Sequence, residues 1–168
     1  MSNTQDWSRF SVRINVKNTP TEKLYHAWAT KEGIEAWFLR MSEYKKADGT
    51  ILGANEYAQK DDRYLWKWYG YPDSVKEEGE ILESNGKDVF SFRFGAAGIC
   101  TVRITDEQDE KIVELTQDNI PTDEKSKFNY HIGCKGGWTF YLANLKSYFE
   151  GGVDLRNRNE KIQDVINS

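Results

Sequence analysis

The sequence contains few residues of the kinds that build catalytic, metal or disulfide sites. It has two histidines, His26 and His131, and two cysteines, Cys100 and Cys134, in 168 residues. The cysteines have no metal-binding spacing, and we expect free thiols in a reducing cytoplasm. A nucleophilic site needs a histidine beside its nucleophile, and the neighbouring His131 and Cys134 are one place to look for it. We therefore predict no catalytic residue, no metal site and no cofactor.

The chain also lacks a long apolar run and an excess of basic charge. Its 23 lysines and arginines are outnumbered by 27 acidic residues, for a net charge of −4. A nucleic acid or an anionic membrane requires a concentrated basic face, so neither is expected as a partner. No segment approaches the length of a membrane span, and residues 1–7 lack the apolar core of a secretory signal. These absences predict a cytoplasmic protein with no membrane span.

Aromatic residues, in contrast, are abundant. Six Trp, nine Tyr and eight Phe make up 14% of the chain. Rings in this number indicate either a large aromatic core or an aromatic-lined cavity, and composition leaves both open. A chain of this length is typical of one domain. We predict a single domain over residues 1–168, with a core from 10 to 152 and a charged tail from 153 to 168.

The first half of the chain predicts one strand, two short helices and then further strands. Strict alternation of apolar and polar residues over 10–17 is typical of a half-buried strand. Thr19 and Pro20 predict the start of a first short helix, and Thr30 caps a second over residues 31–39. Further strands separated by turn signals are predicted at residues 41–47, 64–70, 75–83, 88–95, 99–105 and 111–117.

The most regular pattern lies near the end of the chain and predicts a long helix over residues 135–150. One side of this helix is apolar, and Tyr141 and Tyr148 widen that apolar stripe. The glycines at 151 and 152 are residues that commonly end a helix. The glycine-dense segment 133–137 lacks the spacing of a phosphate-binding loop, and we interpret it as a flexible hinge over a cavity mouth. The stripe itself has a four-three-four spacing: Trp138, Leu142, Leu145 and Phe149.

Together these elements predict an α+β protein with a helix-grip fold. A curved antiparallel sheet of about six strands would wrap around the long C-terminal helix, with two short helices after the first strand. The gap between sheet and helix is then a cavity or is filled by rings. Ligand-binding residues that would line the cavity are Trp37, Phe38, Trp66, Trp68, Phe90, Phe92, Phe94, Val102, Leu115, Trp138, Tyr141, Leu142 and Leu145.

This order of elements resembles the START-like (SRPBCC, helix-grip) superfamily over residues 10–156. Short motifs are similar to the branch related to the C-terminal domain of the activator of Hsp90 ATPase. They are Pro20 with Trp28, Trp37-Phe38, the segment 79–83 with Phe90-Ser91-Phe92, Gly137-Trp138, Asn144-Leu145-Lys146, Phe149-Glu150 and Asp154-Leu155-Arg156. The segment 53–63 and the tail after Arg156 depart from the family pattern. We interpret Asp154 and Arg156 as a pair that anchors the helix end against the sheet.

The aromatic excess and the absence of a catalytic constellation predict a non-enzymatic domain, and the resemblance implies that it binds a small hydrophobic ligand in the cavity between sheet and helix. Two alternatives stay open: a co-chaperone-like protein-interaction module, and a cyclase- or hydrolase-type enzyme of the same superfamily. The expected partners are a small hydrophobic ligand, a chaperone or another protein, and the oligomeric state is a monomer or a homodimer. Five glutamates lie in or near predicted strands, and most of them are expected on the solvent face: Glu56, Glu78, Glu80, Glu83 and Glu114.

Overall fold

A computed structural model describes residues 4–166, whose centre is one antiparallel sheet. The expected sheet of about six strands has seven, in the order β1-β7-β6-β5-β4-β3-β2. An irregularity in pairing between Ile81 and Glu83 interrupts the β4–β5 ladder, and such bulges bend a sheet. The strands are β1 Phe10–Val16, β2 Met41–Lys45, β3 Arg63–Lys67, β4 Glu77–Ser84, β5 Val89–Arg93, β6 Ile99–Glu107 and β7 Glu110–Asp118.

The helices confirm the predicted helix-grip arrangement. The sheet curves around the long final helix, and the two short helices follow the first strand. Among the described residues, none of the helices combines the length and the apolar character needed to cross a bilayer. The helices are α1 Thr21–Ala29, α2 Lys31–Trp37, α3 Glu124–Ser126 and α4 Gly133–Phe149; a 3₁₀ turn covers Gly95–Ala97, and a π-helical segment covers Lys127–Ile132.

The two short helices begin in different ways. Thr30 caps α2 as predicted, because its Oγ1 accepts a hydrogen bond of 3.0 Å from the Gly33 amide. The predicted cap at Thr19 is wrong, since Thr19 donates its hydroxyl proton to the Lys17 carbonyl instead. Pro20 occupies the cap position in an extended conformation, and α1 therefore begins one residue later.

Segment 133–137 is helical, which corrects its interpretation as a flexible hinge. Asp123 caps α3 by accepting hydrogen bonds from the amide and the hydroxyl of Ser126, at 3.1 and 2.6 Å. The π-helical segment then joins α3 directly to α4, and Gly133 itself has helical dihedral angles. Because the helix already exists upstream of the glycines, they continue it rather than interrupt it.

Replacing Gly136 with alanine should stabilise the protein by about 0.5–1 kcal/mol, because alanine loses less backbone entropy in a helix. A Cβ atom at this position would meet no atom within 4 Å. Urea unfolding measures the change. Gly33→Ala in α2 is the control and should destabilise, since its Cβ would overlap the His26 carbonyl. A loss of stability in Gly136→Ala would contradict the helical assignment.

The apolar stripe of α4 faces the sheet over most of its length. Trp138, Leu142 and Leu145 are buried, and Phe149 is half-buried. Tyr148, however, is 51% exposed, so its predicted place in the stripe is wrong. The last turn of α4 borders an open groove beside α1 and α2, and Tyr148 lines this groove.

A buried arginine anchors the chain after α4, and its partner is α2 rather than the sheet. The Arg156 guanidinium donates hydrogen bonds of 2.9–3.0 Å to three carbonyl groups at the end of α2: Glu35, Ala36 and Leu39. Asp154 accepts two further bonds from the same guanidinium, both of 2.9 Å. Burial would raise the pKa of Asp154, but the hydrogen bonds and charge of Arg156 outweigh it and hold that pKa well below its ordinary value.

Asn144 completes this anchor from the middle of α4. Its side-chain amide donates a hydrogen bond of 2.6 Å to the Trp37 carbonyl, and its oxygen accepts one of 2.8 Å from the Leu155 amide. The side chain is buried, so both bonds form away from water. Asn144 therefore ties three parts of the chain together: α2, α4 and the start of the tail.

Residues 153–166 form turns and no regular helix. The side-chain oxygens of Asn157 and Asn159 accept hydrogen bonds from backbone amides two residues further on. Such local bonds compete with the helical pattern and favour turns.

Candidate functional site: an aromatic cleft at the start of the long helix

An apolar cleft of about 850 Å³ opens between the first turns of α4 and the β3–β4 end of the sheet. We refer to it as the aromatic cleft. Residues from the sheet side, the α2 end, the π-helical segment, α4 and the tail contribute to its wall. The lining residues are Phe38, Trp68, Tyr71, Val75, Phe94, Asn129, Ile132, Gly133, Cys134, Gly136, Gly137, Trp138, Thr139, Phe140, Tyr141 and Ile166.

The structure separates the predicted cavity residues into two groups. One group lines the aromatic cleft: Phe38, Trp68, Phe94, Trp138 and Tyr141. The other is buried behind the cleft: Trp37, Trp66, Phe90, Phe92, Val102, Leu115, Leu142 and Leu145. The aromatic excess therefore serves both purposes that composition had left open, a packed core and a ring-lined opening.

Ring packing explains why the opening lies at one end of the gap between sheet and helix. Trp138 is the ring where the two groups meet. Its ring centroid lies 5.0 Å from that of Phe38, 5.6 Å from that of Phe94 and 6.2 Å from that of Phe92. These are ordinary distances for packed aromatic pairs. The deep interior is thus occupied by side chains, and the unfilled volume begins at the outer edge of Trp138.

Several lining residues escaped the sequence analysis: Ile132 lies before the predicted start of the helix and Tyr71 lies between predicted strands, whereas Phe140 and Val75 lie in predicted elements but were not assigned to the cavity. Ile132 and Phe140 flank the glycines of α4, and Tyr71 and Val75 come from the β3–β4 connection. The spacing of Phe128 and Ile132, four residues apart, was the signal that the helix extends upstream. It was weak because both side chains are exposed, at 69% and 51%.

The tail reaches the mouth of the aromatic cleft along the β3–β4 connection. The guanidinium carbons of Arg156 and Arg158 lie 5.3 and 5.0 Å from the centre of the Tyr69 ring, which is a cation–π arrangement. Glu160 and Gln163 border the same turn, and Ile166 lies at the cleft itself. The anchored arginine therefore directs the tail towards the cleft.

The polar groups behind Trp138 are paired with one another. Gln117 is fully buried; its amide nitrogen donates to the Ala97 carbonyl, and its oxygen accepts a hydrogen bond of 3.0 Å from the Trp138 indole. The Cys100 thiol also donates to this oxygen, at 3.5 Å. Burial raises the pKa of Cys100, so its thiol stays protonated. This network fixes the orientation of the Trp138 ring.

Glu77 is a carboxylate on the concave face of the sheet, and the sequence analysis missed it. It is paired with the buried Trp66 across β3 and β4, and directly paired residues of an antiparallel sheet project to the same side. Burial raises the pKa of Glu77, and the nearby charge of Glu78 adds to the increase. The signal was the period of two that places Glu77 on the same face as the buried Ile81.

His131 and Cys134 do not form an activated pair. The Nδ1 atom of His131 lies 3.0 Å from the Trp7 carbonyl oxygen, and its ring packs against Trp7 and Phe10. Burial raises the pKa of Cys134, which disfavours the reactive thiolate. Within residues 4–166, no three His, Cys, Asp or Glu side chains converge as a metal site would require.

A second groove, of about 910 Å³, lies beside α1, α2 and the last turn of α4. Its wall includes charged side chains, among them Glu22, Lys23 and Glu32. His26 lies here, with Nε2 2.9 Å from Oδ1 of Asn55. A groove with this lining is well solvated, and it is a poorer site for an apolar molecule than the aromatic cleft.

Comparison with solved structures finds the same fold in several bacterial proteins. A protein from Staphylococcus saprophyticus has 21% identity and a TM-score of 0.67, with 88% of this chain and 96% of that chain covered. The Aha1 dimer from Colwellia psychrerythraea has 17% identity and a TM-score of 0.61, with 86% and 97% covered. DynU16, from the dynemicin biosynthetic locus, has 16% identity and a TM-score of 0.60, with 90% and 50% covered.

Comparison by sequence identifies the family. No curated protein matches the chain. The family model described as Activator of Hsp90 ATPase homolog 1-like protein matches residues 18–150, which include the two short helices, strands β2 to β7 and α4. The match covers well over half of the chain and agrees with the helix-grip fold. This chain therefore belongs to the Activator of Hsp90 ATPase homolog 1-like family, a branch of the START-like superfamily.

Proposed function

We propose that this protein binds a small hydrophobic molecule in the aromatic cleft and does not transform it. The observation that carries the proposal is the cleft itself, an opening of about 850 Å³ with aromatic rings on several sides. Sites for small molecules are commonly concave, mostly apolar and of this size. The proposed location is the cytoplasm, which the two unbridged cysteines support.

The lining combines a rigid and an adaptable side. Trp138 and Phe38 are buried and belong to the packed ring cluster, so they form a fixed floor. Elsewhere in the lining, Ile132 is exposed and Phe140 is partly buried, so both have apolar surface to lose to a ligand. Burial of this surface would supply most of the binding free energy, at roughly 25 cal/mol for each Å² removed from water.

Blocking the cleft should abolish this binding. Gly137 lines the cleft, and a Cβ atom there would meet no atom within 4 Å, so Gly137→Phe places a ring in the open volume. We expect at least about a tenfold loss of affinity, or about 1.4 kcal/mol, for the neutral probe 2-naphthylmethanol. Isothermal titration calorimetry measures the affinity.

Gly53→Phe is the matched control, because Gly53 lies outside the cleft and also has open space around it. It should leave the probe affinity unchanged. Equal affinity in both variants and the unaltered protein would contradict binding in the cleft. Recovery of the probe unchanged separates binding from a cyclase- or hydrolase-type reaction, and native mass spectrometry of protein from its own host would identify a retained ligand.

A second candidate function is a co-chaperone-like interaction with an Hsp90-type ATPase, as the family name suggests. The observation that favours it is an apolar patch formed by Phe128 and Ile132, which lie one helical turn apart and are 69% and 51% exposed. The test is the ATPase rate of a purified Hsp90 with and without this protein. Stimulation that is lost in Phe128→Asp supports this candidate, and an unchanged rate excludes it.

The oligomeric state is proposed to be a monomer or a homodimer. The structurally similar protein from Colwellia psychrerythraea is described as a dimer. The patch of Phe128 and Ile132 is one surface that a second copy would cover. Light scattering at several protein concentrations distinguishes the two states, and Phe128→Asp should shift a dimer that uses this patch towards monomer.

A further inference from the structure

The tail after Arg156 lies along the connection between β3 and β4. Arg158 holds its near end, because the guanidinium donates a hydrogen bond of 2.6 Å to the Asp154 carboxylate. Further along the tail, Glu160 and Gln163 border a groove of about 530 Å³ together with residues of the β3–β4 connection. These contacts place the tail beside this connection, which also contributes to the wall of the aromatic cleft.

Ile166 brings the tail to the aromatic cleft and is one of its lining residues. Tyr71 lines both the cleft and the groove beside the tail, so the two openings are neighbours. Asp164 has a left-handed backbone conformation, with φ of 56°, which is typical of a turn. Although it lines the cleft, Ile166 is 77% exposed. An apolar side chain therefore lies at the mouth of the cleft with most of its surface in water.

The tail is held firmly at its base and weakly beyond it. The Arg156 side chain is 1% exposed and belongs to the buried network that joins the tail to α2. Residues 158–166, in contrast, are all exposed, and no helix or strand includes them. A segment with few buried contacts opens and closes at a small cost in free energy. The tail can therefore move at the cleft while its base stays attached.

We propose that residues 158–166 form a strap that closes over a ligand in the aromatic cleft, with Ile166 packing against the ligand. The proposal rests on the proposed function, because it assigns a closing element and a further binding residue to the same site. The opening keeps its volume of about 850 Å³ with Ile166 already at its wall, so the tail does not fill the site. A bound apolar molecule supplies the surface against which this side chain loses its contact with water.

Closure of the strap changes both the strength and the lifetime of binding. Burial of an isoleucine side chain corresponds to about ten- to one-hundredfold in affinity, and the ordering of the tail offsets part of this gain. We therefore expect a net contribution of about tenfold. Because the strap closes after the ligand has entered, most of this contribution is expected as slower dissociation.

The neutral fluorescent probe 1-pyrenemethanol tests the strap, because its larger ring system fills more of the opening than naphthalene does. Isothermal titration calorimetry gives its affinity, and stopped-flow fluorescence gives its dissociation rate. Ile166→Ser removes the apolar surface of the strap and should weaken binding about tenfold, chiefly through faster dissociation. Ile166→Leu keeps an apolar surface and should retain the affinity within about twofold. Because Ile166 is exposed, neither substitution threatens the fold.

Ile162→Ser is the matched control. Ile162 belongs to the same tail and is 48% exposed, but it lines neither the cleft nor the neighbouring groove. Its replacement should leave the affinity and the dissociation rate unchanged. Unchanged affinity in Ile166→Ser would overturn the strap while leaving ligand binding in place, and tighter binding would overturn it in favour of a tail that competes with the ligand. If the unaltered protein binds neither 1-pyrenemethanol nor 2-naphthylmethanol, the proposed function itself is overturned.

Discussion

Replacing Phe92 with alanine is expected to destabilise the protein by about 3–5 kcal/mol, because the change leaves a cavity within the packed ring cluster. Phe92 is 0% exposed and lies in the centre of the sheet's concave face. Its ring centroid is between 4.9 and 6.2 Å from those of five other rings: Tyr64, Trp66, Phe90, Phe94 and Trp138.

Phe128→Ala is the matched control for this substitution. The same atoms are removed, but Phe128 is 69% exposed, so the loss should stay within about 0.5 kcal/mol. Urea unfolding monitored by circular dichroism and by tryptophan fluorescence measures both variants. Similar losses in the two variants would contradict the assignment of Phe92 to a packed core behind the cleft.

Replacing Arg156 with alanine should cost about 3–5 kcal/mol, as expected when one partner of a buried charged network is removed. The side chain is 1% exposed, and its loss leaves the Asp154 carboxylate without its main partner. The three carbonyl groups at the end of α2 also lose their donor. Since these groups connect α2 to the chain after α4, unfolding of the tail and of α2 should become easier together.

Arg158→Ala separates this structural role from simple loss of charge. Arg158 donates to the same carboxylate, with a distance of 2.6 Å, but its side chain is 56% exposed. Its removal should change the free energy of unfolding by less than about 1 kcal/mol, as for other exposed ion pairs. Chemical denaturation measures both variants, and equal losses would show that burial of Arg156 has no special importance.

Local patterns predicted much of the fold. The alternation through Phe90, Phe92 and Phe94 determines which face of β5 is apolar, because side chains of a strand alternate between faces. The spacing of Trp138, Leu142 and Leu145 likewise identifies the buried side of α4. Thr30 marks the start of α2 because a hydroxyl before a helix satisfies an otherwise free amide. Each of these signals depends only on neighbours along the chain.

Other features depend on partners far away in sequence. The start of α4 was predicted too late, because its glycines have low intrinsic helix propensity and only the upstream helix at Asp123 holds them in place. Arg156 was assigned to the sheet, whereas its acceptors are carbonyl groups more than a hundred residues earlier. Backbone acceptors carry no sequence signal, so no pattern of side chains could identify them.

The sequence by itself determined a strand-rich sheet, a long amphipathic helix and a surplus of rings between them. Its periods of two and of three to four residues are local properties, and they are enough to define which faces must be buried. Only the tertiary structure decided which rings fill the core and which ones line an opening. That division depends on the distance between the first turns of α4 and the sheet, which places Trp138 at the boundary between the packed core and the aromatic cleft. Strand register likewise decides that Glu77 projects from the same face of the sheet as the buried Trp66.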